Sequence, residues 1–250
     1  MAPRNLLRSE LYAARATPTT WWIGGAGIAI AVGATILTLL LSTVHSGKDV
    51  RSLLSFGGTP GLVLVIYGVV VGAGAYRHRT IVPTVLTNPD RVRVVATQAV
   101  AVAGVGTLVG LSAEVVTLAI ALPWLAALGV HPGVSIGVIA NSVIGGVAYC
   151  AFGAAFGLGI GALARNQAAA VSIIFVYLAI VDPSISALVP SYGKFGPTAL
   201  GVAISGGVAG SSNGPYDKLL SQPAAFVLLL VVALVAVSAA AGVTARRDLA

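Results

Sequence analysis

Long uncharged stretches alternate along this chain with short clusters that carry nearly all of its Arg, Lys, Asp and Glu. A helix crossing the roughly 30 Å hydrocarbon core of a bilayer needs about 20 mostly apolar residues. Six windows meet that need: 21–44, 58–75, 94–122, 136–163, 167–189 and 222–245. Two of them hold a single carboxylate, Glu114 in the third and Asp182 in the fifth. The third apolar run continues past 122, but Pro123 and Trp124 are expected to end its helix there, because proline removes a backbone donor and crowds the preceding turn. The expected fold is all-α, one transmembrane domain over 1–250 with six spanning helices.

The segments between the windows are patterned too. Within residues 1–20, Pro3–Ala16 place Leu6, Leu7, Leu11 and Ala14 on one helical face and Arg4, Arg8 and Arg15 off it, which predicts an amphipathic helix lying in the membrane interface. The apolar run at 21–44 is longer than the roughly 7–15 residues of a secretion signal, so the first window is expected to stay as a span. The connector 190–221 is rich in Gly and Pro around an apolar stretch, 198–208, that is too short to cross. That stretch is expected as a re-entrant or interfacial piece between spans five and six.

Composition agrees with lipid as the solvent. Hydrophobic residues make up 57% of the chain and charged residues 8%, against about 25% charged in ordinary soluble domains. Such a chain has too few charges to cover a water-facing globule. The lone Cys150 excludes an internal disulfide. The net charge of +7 comes largely from one side of the membrane: Arg4, Arg8, Arg15, Arg77, Arg79, Arg91, Arg93, Arg165, Arg246 and Arg247 fall there, and Lys48, Arg51, Lys194 and Lys218 on the other. Cytoplasmic loops collect Lys and Arg, so both termini are expected in the cytoplasm, and the basic balance gives no reason to expect nucleic acid as a partner. Glycine pairs four apart, Gly68 and Gly72, Gly106 and Gly110, and the series Gly153, Gly157 and Gly161, predict that spans two, three and four pack closely, within one chain or between subunits.

Candidate chemistry is sparse. Neither Gly-Lys pair is followed by Ser or Thr, so the chain lacks a phosphate-binding loop for ATP. His45, His78 and His131 fall in three different loops on both sides of the membrane, which disfavours a His-ligated metal site. No His or Lys lies within a span to activate a serine. The two carboxylates remain, because an ionisable group at membrane depth is costly. Counting about 1.5 Å per residue, Glu114 lies about 30 Å along its span and Asp182 about 22 Å, both nearer the outer face. Each either meets water or a partner there, or lines a path or gate. Pro183, following Asp182, frees a carbonyl and can bend the fifth span.

The segment 76–93 carries two helix-start signals. Thr80 can cap a short helix through Thr87, with Pro83 in its first turn, and Asn88 followed by Pro89 can cap the third span. It is either a solvated basic loop or a lever on which a soluble partner docks.

These features resemble the permease subunit of type 2 ATP-binding-cassette (ABC) exporters, especially the small six-span actinobacterial kind. The resemblance is carried by the interfacial helix before Thr20-Trp21-Trp22, by Tyr76-Arg77-His78, Thr80-Ile81 and Thr87-Asn88-Pro89 after the second span, by Arg165-Asn166-Gln167 opening the fifth, and by Asp182-Pro183 within it. Ala75 and Arg79 depart from the family, where Glu and Gly are common. The resemblance implies that Thr80, Ile81, Val82, Pro83, Thr84, Val85, Leu86 and Thr87 form a cytoplasmic coupling helix docking on a separate ATP-binding subunit. It also implies two copies of that subunit, holding ATP and Mg, and a second permease copy, identical or related. The chain itself would then need no cofactor and catalyse nothing, and it would sit in a bacterial plasma membrane. The competing reading is a stand-alone ion-coupled carrier using Glu114 and Asp182. A membrane enzyme comes third, since the spans lack clustered catalytic groups.

Overall fold

The computed structural model describes residues 3–41, 47–77, 91–127, 135–164, 166–209 and 218–246. The regular structure among them is entirely helical. Six helical stretches are long and apolar enough to cross a membrane, the architecture of a multi-pass membrane protein. They are apolar on all sides, so small residues, rather than a polar–apolar divide, select the faces that meet.

Helix α1 (Pro3–Ala16) packs along the start of the third span and is followed by a one-residue break at Thr17, whose hydroxyl donates to the Ala13 carbonyl at 2.7 Å. Helix α2 (Pro18–Leu41) begins at a proline, which loses nothing at a first helical position. The first span therefore starts three residues ahead of the expected 21. It buries Gly24, Gly27, Ala31, Thr35 and Leu39, a single stripe at helical spacing.

The second span begins ahead of the expected 58. Helix α3 (Gly47–Leu54) runs into a 3-10 turn, Ser55–Gly58, and on into α4 (Pro60–Arg77), and the stretch apolar and long enough to cross is Gly47–Gly74. The charges of Lys48, Asp49 and Arg51 had marked this segment as a connector, yet Val50, Leu53 and Leu54 sit at helical spacing and are buried against Leu39, Ala121 and Leu125.

Helix α5 (Arg91–Ala127) corrects the expected end of the third span at 122, for it continues through Pro123. Proline deprives the Ala119 carbonyl of its helical partner. The last turn is nevertheless held, because Ala121 and Leu125 are fully buried in the same cluster as Val50 and Leu53.

Helix α6 (Ile136–Leu163) is the centre of the bundle and packs on α4, α5 and α11 (Gln222–Arg246). Its contacts are backbone against backbone. A Cβ on Gly153 would stand 2.6 Å from the Gly61 carbonyl oxygen, and side chains on Gly157 or Gly161 would strike the carbonyls of Val65 and Val69. Side chains on Gly68 and Gly72 would likewise strike the carbonyls of Ala154 and Leu158. On the other side a Cβ on Gly106 would stand 2.6 Å from the Cys150 carbonyl oxygen. The predicted glycine pairs thus pack within this one chain. Gly159 does the same against Ala236 of α11.

The fifth span is α7 (Gln167–Val176), a π-helical turn (Tyr177–Val181) and α8 (Asp182–Leu188). Pro183 has no N–H for the Ala179 carbonyl, and the Asp182 N–H bonds back to the Tyr177 carbonyl, five residues earlier, which widens the turn. This span buries only Ala170 and Asp182. Short helices α9 (Pro190–Gly193) and α10 (Pro197–Ile204) follow, and α10 is buried against α6 and α11. Ala240 and Ala241, near the end of α11, share a cluster with Val95 and Ala99 of α5, so the two described ends of the chain lie at one end of the bundle.

Candidate functional site

Glu114 lies in the far half of α5, 1% exposed, between the fully buried Ala113 and Thr117. Its carboxyl occupies space left by two glycines from distant parts of the chain, Gly57 of the 3-10 turn and Gly146 of α6. A Cβ at either would overlap the carboxylate oxygens. Oε1 is buried and has no hydrogen-bond partner among the described residues. Thr117 Oγ1, one turn along α5, is likewise buried without a partner among the described residues, as are Ser52 Oγ of α3 and Ser205 Oγ. Ser205 abuts Gly58, and its carbonyl accepts from Ser142 Oγ at 2.6 Å, while Ser55 Oγ donates to the Ser52 carbonyl at 2.7 Å. The arrangement can accept a hydrogen bond or a proton from a solute that reaches it.

Asp182 has the opposite surroundings. It is fully buried, yet both its oxygens are engaged. Thr198 donates to Oδ2 through its hydroxyl at 2.5 Å and its backbone N–H at 3.3 Å, and Tyr192 donates its hydroxyl to Oδ1 at 3.1 Å. Tyr177 extends the chain, its hydroxyl 2.8 Å from that of Tyr192. Pro197 opens α10 without an N–H, so Thr198 offers the first free donor of that helix, and Asp182 caps it from another element. Glu114 and Asp182 are not brought together. They lie near opposite ends of α10, about 10 Å apart along its axis at 1.5 Å per residue. Pro183 is exposed in the first turn of α8 and shapes the π-helical turn rather than a cavity.

Residues 80–87, expected as the docking segment, and the motif residues His78 and Arg165 lie outside the described residues. Tyr76 and Arg77 form the last helical residues of α4. Asn166 caps α7, its Oδ1 accepting from the N–H groups of Ala168 at 3.0 Å and Ala169 at 3.2 Å. Gln167 turns inward. Its Oε1 is buried without a partner among the described residues, and the residue lines a cavity of about 290 Å³ with Glu10, Thr17, Thr20 and Tyr67.

Glu10 had no place in the sequence reading, although it is the lone acid of Pro3–Ala16 and its solitude was a signal. Burial holds its carboxyl above the ordinary value of 4.5, opposed by the hydrogen bond from Gln98 Nε2 at 3.4 Å. Among the described residues no three His, Cys, Asp or Glu side chains gather as a metal site. No protein-family model matches this sequence, and no curated protein matches it.

Proposed function

We propose that this chain is the permease subunit of an ABC exporter, working with a second permease copy, identical or related, and with two copies of a separate ATP-binding subunit that hold ATP and Mg. What supports the reading is a pair of accessory elements: amphipathic α1 ahead of the first span, and the short helices α9 and α10 after the fifth, with Asp182 bonded to the start of α10. In this reading α1 lies in the cytoplasmic interface of a bacterial plasma membrane, both termini are cytoplasmic, and residues 80–87 form the coupling helix. No enzymatic step belongs to the chain.

The mechanism is mechanical. ATP-driven closure of the partner subunits pushes on the coupling segment, which joins α4 to α5. Both helices meet α6 through glycine backbone contacts, and close-packed elements move as rigid bodies rather than deforming. The push then rotates α4, α5 and α6 together. The fifth span, thinly packed and carrying a π-helical turn, is the element able to shift against them. The surface between permease copies forms the path, and its apolar character selects an amphiphilic or lipid-like cargo.

Replacing residues 80–87 by Gly and Ser tests the reading. The wild-type chain extracted from native membranes should bring an ATP-binding subunit with it, and the replaced chain should not. A second reading, an ion-coupled carrier, is favoured by one observation: the unpartnered Oε1 of Glu114. Transport that persists without any ATP-binding partner would select it.

A further inference from the structure

An apolar groove of about 530 Å³ opens between α1, α2 and α5. Leu11 and Arg15 stand at its mouth, Trp21, Gly25 and Ile28 form one wall, and Leu108 stands on the other. The walls extend over residues 21–28 of α2 and 105–112 of α5, about 10 Å at 1.5 Å per residue. One leaflet of hydrocarbon is about 15 Å deep, so the groove spans most of a leaflet from the level of α1. At Gly25 the space is open, for a Cβ there would meet nothing within 4 Å.

The polar groups of the walls are already satisfied internally. Trp21 Nε1 donates to the Arg15 carbonyl at 2.9 Å, Ser112 Oγ to the Leu108 carbonyl at 2.8 Å, and Thr20 Oγ1 to the Tyr67 hydroxyl at 3.4 Å. What remains is the Arg15 guanidinium, exposed at the mouth. Arg8, two helical turns earlier and on the same face of α1, is exposed as well. Glu10 does not offset them at this mouth, because it lines the separate cavity and accepts from Gln98. An apolar slot, with net positive charge only at the interfacial end, matches an acyl chain below a net-negative phosphate headgroup.

We propose that this groove is a binding site for one anionic glycerophospholipid, with an acyl chain between α2 and α5 and its phosphate on Arg15. The site rests on the membrane-spanning architecture and not on the ABC reading, so the two stand or fall separately.

The full-length chain, equilibrated in vesicles of equal phosphatidylglycerol and phosphatidylcholine and then extracted in mild detergent, is examined by native mass spectrometry. The expected result is about one phosphatidylglycerol per chain, retained about tenfold over phosphatidylcholine. Gly25→Leu fills the slot and should lower that retention about tenfold. Arg15→Gln should abolish the headgroup preference, and Arg15→Lys should keep most of it. Gly33→Leu, on the same helix where a Cβ also meets nothing within 4 Å, should leave retention unchanged. Equal retention of the two lipids by the wild type, a Gly25→Leu chain that binds like the wild type, or a Gly33→Leu chain that loses lipid equally would each overturn the proposal.

Discussion

Glu114 and Asp182 are the two acids of the apolar windows, both sealed from solvent, one near each end of α10, and their surroundings differ in kind. Asp182 is met by three donors from two side chains and a helix N-terminus, so its oxygens are used in holding α9 and the start of α10 to the fifth span. Glu114 is met by two glycines and leaves an oxygen unengaged. At similar membrane depth the two carboxyls are thus bonded differently: Asp182 has both oxygens engaged, whereas Glu114 keeps Oε1 without a partner among the described residues.

The contrast is broken most severely at Asp182. Asp182→Ala strands the half-buried Thr198 hydroxyl and N–H, while the Tyr192 hydroxyl keeps Tyr177, and at roughly 1–3 kcal/mol for each unsatisfied group the loss should be about 3 kcal/mol. Unfolding in detergent measures it, and a loss under about 1 kcal/mol would make Asp182 no anchor.

Glu114 is tested next through its cradle. Gly146→Ala pushes a methyl into the carboxyl and should cost about 2 kcal/mol by overpacking. Glu114→Ala should relieve most of that cost in the double variant, with a coupling of at least about 1 kcal/mol in the cycle. Additive losses would mean that the carboxyl does not occupy the space of Gly146. Thr198→Val removes the 2.5 Å bond to Asp182 and should cost about 1.5 kcal/mol, less than Asp182→Ala because Tyr192 and the backbone still donate.

The smallest effect belongs to Glu10, a carboxyl that is only partly buried. Its value is raised in the folded chain, so the folded state binds that proton more tightly than the unfolded one. The contribution is whole below the ordinary 4.5 and is lost as pH rises through the raised folded value. Protease resistance of the α1–α2 junction should fall over that window, and Glu10→Gln should flatten the dependence.

The six spans were legible because each is a long apolar run between charges, and α1 was legible because Arg and Leu separate by helical phase over Pro3–Ala16. The glycine pairs predicted close packing and left the partner open. The bundle supplies it, since Gly157 meets Val65 and Gly106 meets Cys150. The end of the third span was misread at Pro123, because a proline's local cost says nothing of the distant Val50 and Leu53 that hold the turn beyond it. Helix α3 was hidden by Lys48, Asp49 and Arg51, though the spacing of Val50, Leu53 and Leu54 was available. The cradle of Glu114 left no local trace, since residues 57, 114 and 146 meet only in the fold. Asp182 as a cap was half visible: Gly196-Pro197-Thr198 signals a helix start but not which acid meets it.

The most direct measurement reconstitutes the chain into sealed vesicles, alone and with any ATP-binding subunit that co-purifies with it from native membranes, and follows a fluorescent phospholipid analogue across the bilayer. The permease account predicts movement only when the partner and Mg-ATP are both present. Movement by the chain alone, driven by a proton gradient and lost in Glu114→Gln, would contradict it and establish the carrier reading.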